Sequence, residues 1–215
     1  MNAPETRTAA SPIVLHGFRL SGHSHRVELF LSLLGLPFEF RQVDLAAGEQ
    51  KHAGFLAKNP FGQVPVIEDG AVVVADSTAI LVYLASRYAP GRWLPQDPAG
   101  AAEVQRWLSV ASGPVAFGPA AARRVTVFKA NLNPDEAIAR SHALLTVLQR
   151  VLAGRNWLAG VQPTIADVAI YTYVAHAPEG NVSLDAYPDV RAWLARVEAL
   201  PGFVPMPVSA VGLRA

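Results

Sequence analysis

The sequence contains no cysteine. That excludes disulfides, thiolate metal ligands and a cysteine nucleophile, and it excludes dithiol exchange by the protein's own groups. Any thiol chemistry here uses a thiol brought from outside. Charge is sparse and balanced, 18 Lys and Arg against 17 Asp and Glu, so no polyelectrolyte field attracts nucleic acid or anionic lipid. The expected partner is a small molecule or another subunit. No apolar run approaches the roughly 20 residues of a membrane-spanning helix. Met1 to Ser11 is small and polar, without the apolar segment of a secretion signal, and reads as the frayed tail of a cytoplasmic protein. His16, His23, His25 and His52 are scattered without metal-ligand spacing, and no metal site is expected.

What is present is a long apolar pattern of two kinds. The chain, 215 residues, can bury a substantial core as one large domain or two small ones. Ile13-Val14-Leu15, ending at Gly17, suits a short buried strand. From Ser24 to Leu34 apolar residues recur at near-helical spacing until Gly35 and Pro37 stop them. Phe38 to Val43 reads as a second strand, which completes a βαβ unit. A proline-bearing strand follows Asn59-Pro60-Phe61-Gly62. The Asp69-Gly70 turn then pairs it with Ala71 to Val74 as an antiparallel hairpin. Asp76 and Ser77 open a helix whose apolar face holds Ile80, Leu81 and Leu84.

After Tyr88 the composition changes. Ala89 to Pro95 is rich in proline and glycine and reads as a linker between domains. Beyond it the period is helical throughout, over Pro98 to Lys129, Pro134 to Leu152, Ile165 to Ala175 and Pro188 to Leu200. The expected fold is α/β plus all-α, with residues 12–88 as one domain, 89–97 as linker and 98–215 as a helical bundle.

Three elements carry a family resemblance: NPFGQVPVIEDG from Asn59 to Gly70, ADSTAILVYLASRY from Ala75 to Tyr88, and TIADVAI from Thr164 to Ile170. In this order they resemble the cytosolic glutathione transferases, especially serine-type bacterial, theta-like and phi-like members. The resemblance implies a thioredoxin-like glutathione-binding domain followed by a helical domain that lines a hydrophobic co-substrate site. It implies glutathione as co-substrate, a small hydrophobic electrophile as second substrate, a homodimer and a role in detoxification. Reduction of peroxides or mixed disulfides with glutathione, or ligand binding without catalysis, are the alternative activities.

The resemblance also distributes roles. Pro65 falls where the family has a cis proline that turns the Val64 backbone toward glutathione. Asp76 faces the γ-glutamyl ammonium, Ser77 and its helix N-terminus hold the carboxylate, and Gln63 joins them. Lys51 meets the glycyl carboxylate, although relatives often have histidine directly before this lysine, where this chain has Gln50 and places His52 after it. Ser21 aligns with the serine that donates a hydrogen bond to the thiolate. His23 ranks next as a donor or base, and Ser24 third, with Ser24 also a candidate helix cap. Phe18, Arg19, Trp107, Ala111, Phe117 and Arg123 are the candidates for the hydrophobic site. Thr164 and Asp167 form a capping box.

Overall fold

The computed structural model describes Ala9 and residues 11–215, so most of the polar N-terminal tail lies outside the described residues. Four strands form one mixed sheet in the order β2-β1-β3-β4. β1 (Ile13–Gly17) runs parallel to β2 (Phe38–Gln42), with Ile13 opposite Phe38, and antiparallel to β3 (Val66–Asp69), with Leu15 opposite Ile67. β3 pairs antiparallel with β4 (Val72–Ala75). Helix α1 (Gly22–Leu33) makes the β1-to-β2 crossover, the short α2 (Ala53–Leu56) lies in the connection to β3, and α3 (Ser77–Tyr88) follows β4. This is the expected βαβ unit followed by a ββα unit.

The helical half consists of α4 (Pro98–Ser112), α5 (Pro114–Phe117), α6 (Pro119–Phe128), α7 (Pro134–Leu152), α8 (Ile165–Ala175) and α9 (Pro188–Glu198). The single helix expected over 98–129 is therefore three. Gly113-Pro114 and Gly118-Pro119 interrupt it, because each proline lacks the N–H that an uninterrupted helix needs while serving well at the start of a new one. The helix expected from Ser24 begins two residues earlier. Its cap is Ser21, whose hydroxyl accepts the Ser24 amide, and Ser24 lies inside the first turn.

The linker is not a loose tether. Trp93 is 3% exposed, its ring meets Phe30 edge-on with centroids 5.3 Å apart, and its carbonyl accepts the Ile165 amide. One core accordingly runs from the sheet helices into the bundle.

α8 is the centre of that core. Its sequence, IADVAIYTYVA, is apolar around the whole circumference, and all eleven residues are buried. It packs against α1 and α4. Each enclosed Val or Ile side chain contributes about 1.5–3 kcal/mol. Its N-terminus is closed by the expected capping box, with the Thr164 hydroxyl accepting the Ala166 amide at 3.2 Å and the Asp167 carboxylate accepting the Thr164 amide at 2.9 Å. Asp167 does more than the box requires, because it also accepts from the Leu158 amide at 3.0 Å and from Trp193 Nε1 at 2.9 Å.

A second buried polar joint lies between α1, α8 and the C-terminal segment. His25 donates from Nε2 to the Val204 carbonyl, and its Nδ1 accepts the Thr172 hydroxyl, both at 2.9 Å. Burial lowers the His25 pKa to about 4, with the Val204 bond opposing and His176 and Arg26 assisting.

Two outcomes are expected. Asp167→Ala leaves three buried N–H donors unsatisfied and costs about 3 kcal/mol, measurable as a lower denaturant midpoint. His25 has a folded pKa below its ordinary 6.5, so the unfolded chain takes up the proton first as pH falls; its stabilising contribution is whole above about 6.5 and is lost progressively down to about 4. Unfolding free energy should drop between pH 7 and pH 5, with about 2 kcal/mol due to His25. The drop should shrink by that amount in His25→Gln, and an unchanged drop would refute the assignment.

Candidate functional site

The site grows from two helix N-termini at one end of the sheet, those that follow β1 and β4. Chain emerging from β1 turns through Phe18, Arg19 and Leu20 into α1, and the Ser21 amide closes the turn by donating to the Phe18 carbonyl at 2.8 Å. Ser21 is half-buried. Its oxygen accepts the Ser24 amide at a long 3.4 Å, which leaves the hydroxyl proton available to a ligand. Ser24 faces the other way. It is fully buried, its oxygen accepts the Phe18 amide at 3.1 Å, and it braces the turn without reaching a ligand.

Gly22 permits a close approach at the same place. A Cβ there would lie 2.6 Å from the Tyr173 ring, so α8 supports the first turn of α1 directly. Tyr173 also meets the His23 ring edge-on at 5.1 Å. Neither Tyr173 nor Arg26 is marked by any motif, and a tyrosine in an apolar helix reads as core.

The second N-terminus is that of α3. Asp76 precedes it with φ 72°, a left-handed conformation that a side chain adopts at a cost of order 1 kcal/mol and that tends to cluster at functional sites. Its Oδ1 accepts the Thr78 amide and hydroxyl and the Ala79 amide, while Oδ2 accepts no bond from the described residues. Burial raises its pKa, but the bonds from Thr78 and Ala79 and the charge of Arg26 outweigh this and hold it below the ordinary value. Asp76 thus caps α3 with one oxygen and presents an ionised one to solvent. Ser77 is 3% exposed, and its hydroxyl accepts from Arg26 Nη1 at 3.1 Å and lies 3.3 Å from His23 Nδ1. These two contacts tie the helix termini together. Arg26 is fully buried with Nε and one terminal nitrogen unpartnered, and burial lowers its pKa.

His23 is held neutral. Burial, reinforced by Arg26 and partly opposed by Asp76, pushes its pKa down to about 3, which suits a hydrogen-bonding group and not a base working near neutral pH.

Between the termini lies the loop into β3. The Val64–Pro65 peptide is cis, as the resemblance implies. The N–H and C=O of Val64 have no hydrogen-bond partner among the described residues, so this backbone is open to pair with an extended ligand. Gln63 is exposed beside it, and its carbonyl is held by Asn59 Nδ2 at 2.8 Å. Lys51 Nζ donates to the Phe61 carbonyl at 3.2 Å, so it braces this loop from below.

The residues expected at the hydrophobic site separate. Phe18 lies in the turn between β1 and α1, its ring 6.1 Å from that of Phe128. Phe117 is 61% exposed. Arg19 stacks on Phe40 at 3.8 Å and pairs with Glu28. Trp107 and Ala111 are buried in the core, on α4, which packs against α8. Arg123 is likewise buried, in an ion pair with Glu179. Helical period marks such positions as inward-facing, and inward here means the bundle interior.

The arrangement therefore brings together an unpaired backbone at Val64, an ionised carboxylate oxygen of Asp76, the N-terminus of α3 and the Ser21 hydroxyl. Residues 20–87 match the family model "Glutathione S-transferase, N-terminal domain", and residues 118–201 match "Glutathione S-transferase, C-terminal domain". Glutathione S-transferase 3 of Zea mays is 37% identical over 208 residues, covering 90% of this chain and 92% of its own. Human glutathione S-transferase theta-2 is 31% identical, covering 85% and 79%. The crystal structure of a glutathione S-transferase from Pseudomonas fluorescens superposes with a TM-score of 0.85 at 32% identity, over 91% of this chain and 99% of that one. A glutathione transferase homologue from Drosophila mojavensis, solved with bound glutathione, superposes with a TM-score of 0.80 at 30% identity, over 88% and 89%. With both domain models matched in order and relatives aligned along most of its length, this chain belongs to the glutathione S-transferase family.

Proposed function

We propose that this glutathione transferase binds glutathione across the unpaired Val64 backbone and the α3 N-terminus and activates its thiol at Ser21 for attack on a small hydrophobic electrophile. The observation that carries the reading is the unpaired Val64 backbone lying in the chain directly before the strand that leads to the Asp76-Ser77 terminus. Val64 pairs with the cysteinyl unit, Asp76 Oδ2 receives the γ-glutamyl ammonium, Ser77 and the open end of α3 receive its carboxylate, and Gln63 flanks them. Lys51 faces the glycyl carboxylate. The division of labour assigns glutathione to residues 12–88, the connection to 89–97 and the electrophile to 98–215 with Phe18 at its rim.

A free thiol of this kind has a pKa near 8.5, so about 3% is thiolate at pH 7. The Ser21 hydroxyl donates to the anion, and the α1 N-terminus adds partial positive charge; each favours the ionised sulfur. The thiolate sulfur then forms a C–S bond to the electrophile. In substitution the leaving group departs with the bonding pair, and in conjugate addition the adjacent carbon takes up a proton. His23, neutral and directed at Ser77, contributes a hydrogen bond to the γ-glutamyl end.

The proposal extends to a cytoplasmic location, where thiols are kept reduced, to detoxification, and to a homodimer. No helix among the described residues is long and apolar enough to cross a membrane. Support for the dimer comes from Phe61, Val72 and Val73, exposed by 78%, 43% and 45%, and from a cleft of about 640 Å³ between α3 and α4 that includes Val82 and Leu108. Sedimentation should give twice the chain mass of 22.9 kDa, and Phe61→Ser should shift the balance toward monomer.

The chemical test is a pH titration of thiolate absorbance for bound glutathione. Wild type should show a thiol pKa at least one unit below the free value, and Ser21→Ala should return it toward 8.5, a loss of about tenfold in thiolate at neutral pH. An absence of lowering in wild type would replace catalysis with ligand binding. Asp76→Asn, which keeps the cap oxygen and removes the charge, should raise KM for glutathione about tenfold.

A further inference from the structure

The turn that carries Ser21 is gripped from the helical half by one side chain. Arg123, on α6, donates from Nη1 to the Leu20 carbonyl at 2.7 Å, across 103 residues of sequence. No other described group donates to that carbonyl. The Leu20 carbonyl and the Ser21 amide belong to one planar peptide unit, so fixing the first orients the second. The amide end is fixed independently by the Phe18 carbonyl. Between them the two bonds set the plane from which the Ser21 side chain departs.

Arg123 is itself held. It is 1% exposed, and its Nε donates to Glu179 Oε2 at 2.6 Å, where Glu179 is fully buried. Oε1 of the same carboxylate accepts from His176 Nδ1 at 2.6 Å and from the Ser209 amide at 3.2 Å. The Thr126 hydroxyl binds the Glu179 carbonyl at 2.6 Å. Gly180 allows this close packing, since a Cβ there would lie 2.6 Å from the Arg123 amide nitrogen. Burial raises the Glu179 pKa, but the bonds from His176, Ser209 and Arg123 overcome it and bring it to about 2, so the carboxylate stays ionised.

Stability alone does not account for the pair. Desolvating two charges is expensive, and apolar residues of similar volume often fill such a space with no loss of stability. An apolar side chain could not hold the Leu20 carbonyl. The second terminal nitrogen of Arg123 is buried without a partner, so the guanidinium keeps its position at the cost of an unmet donor.

We propose that Arg123, locked by Glu179, is a positioning residue for thiol activation: by gripping the Leu20 carbonyl it sets the direction of the Ser21 hydroxyl. The inference rests on the reading of Ser21 as the sulfur's donor. Arg123 touches no substrate and acts through the peptide that precedes Ser21. Glu179 and its ties to His176 and Ser209 make the setting depend on the C-terminal segment.

The test uses the full-length protein, with glutathione and an electron-poor aryl halide as substrates. Arg123→Met should raise the bound thiol pKa by about one unit and lower kcat at neutral pH about tenfold, with KM for glutathione changed less than about threefold. Arg123→Lys, which keeps a donor near the carbonyl, should recover part of the loss. If Arg123→Met does not fold, Arg123→Met with Glu179→Gln removes both charges while retaining an acceptor for Ser209, and the same readouts apply. Adding Arg123→Met to Ser21→Ala should leave the thiol pKa where Ser21→Ala alone puts it. A further rise in that double variant would mean that Arg123 acts by its own charge and would overturn the proposal. So would a lower unfolding midpoint with unchanged thiol pKa and kcat. If Ser21→Ala itself leaves the thiol pKa unchanged, the Ser21 reading fails and the inference goes with it; if Ser21→Ala raises it and Arg123→Met does not, only the positioning role fails.

Discussion

Enclosing α8 is the constraint on which the rest of the molecule depends. A helix apolar on every side cannot lie on a surface, so the sheet domain and the other helices must close around it. That closure joins the two halves into one core and presses α8 against the helix that follows β1. Three of its side chains then become joints. Asp167 anchors its start to Leu158 and Trp193, Thr172 meets His25, and Tyr173 lies under Gly22.

The candidate site is an outcome of the same closure. The groups proposed to face glutathione come from the sheet domain, yet the turn that carries Ser21 is supported from beneath by Tyr173 and from the side by Arg123, both from the helical half. Catalysis by a hydroxyl donor demands accurate direction more than strong chemistry, because a misdirected O–H gives little to the sulfur. A second domain that fixes the serine's peptide plane serves that demand. Arg26 and the helix termini bring positive charge to the region around Ser21 and Ser77, and His23 remains neutral between them.

Much of the fold was legible because its signals are local. The Asp69-Gly70 turn, the Gly35 and Pro37 stop, and the Thr164-Asp167 box each act within a few residues, and the strands and helices beside them lie close to where the pattern puts them. The merging of α4, α5 and α6 into one expected helix came from giving apolar period more weight than two Gly-Pro breaks. Local signals were legible where a residue acts through its immediate neighbours, as at the cis Val64-Pro65 bond and the Asp76 cap of α3. Placement was illegible for Trp107, Ala111 and Arg123. Period alone shows that such a side chain faces inward, and cannot say whether inward is a pocket or the core.

The sequence by itself determined the order of elements, the absence of any thiol of the protein's own, the caps of α3 and α8 and the motifs that carry the family resemblance. Tertiary structure alone decided which capping serine faces outward, that His23 is neutral, that the Pro/Gly linker is pinned by Trp93, and that an arginine in the helical half holds the Leu20 carbonyl. The division has a physical cause: caps, turns and periodicity are settled within one or two turns of chain, whereas burial, pKa and long-range hydrogen bonds depend on which distant segments share a space.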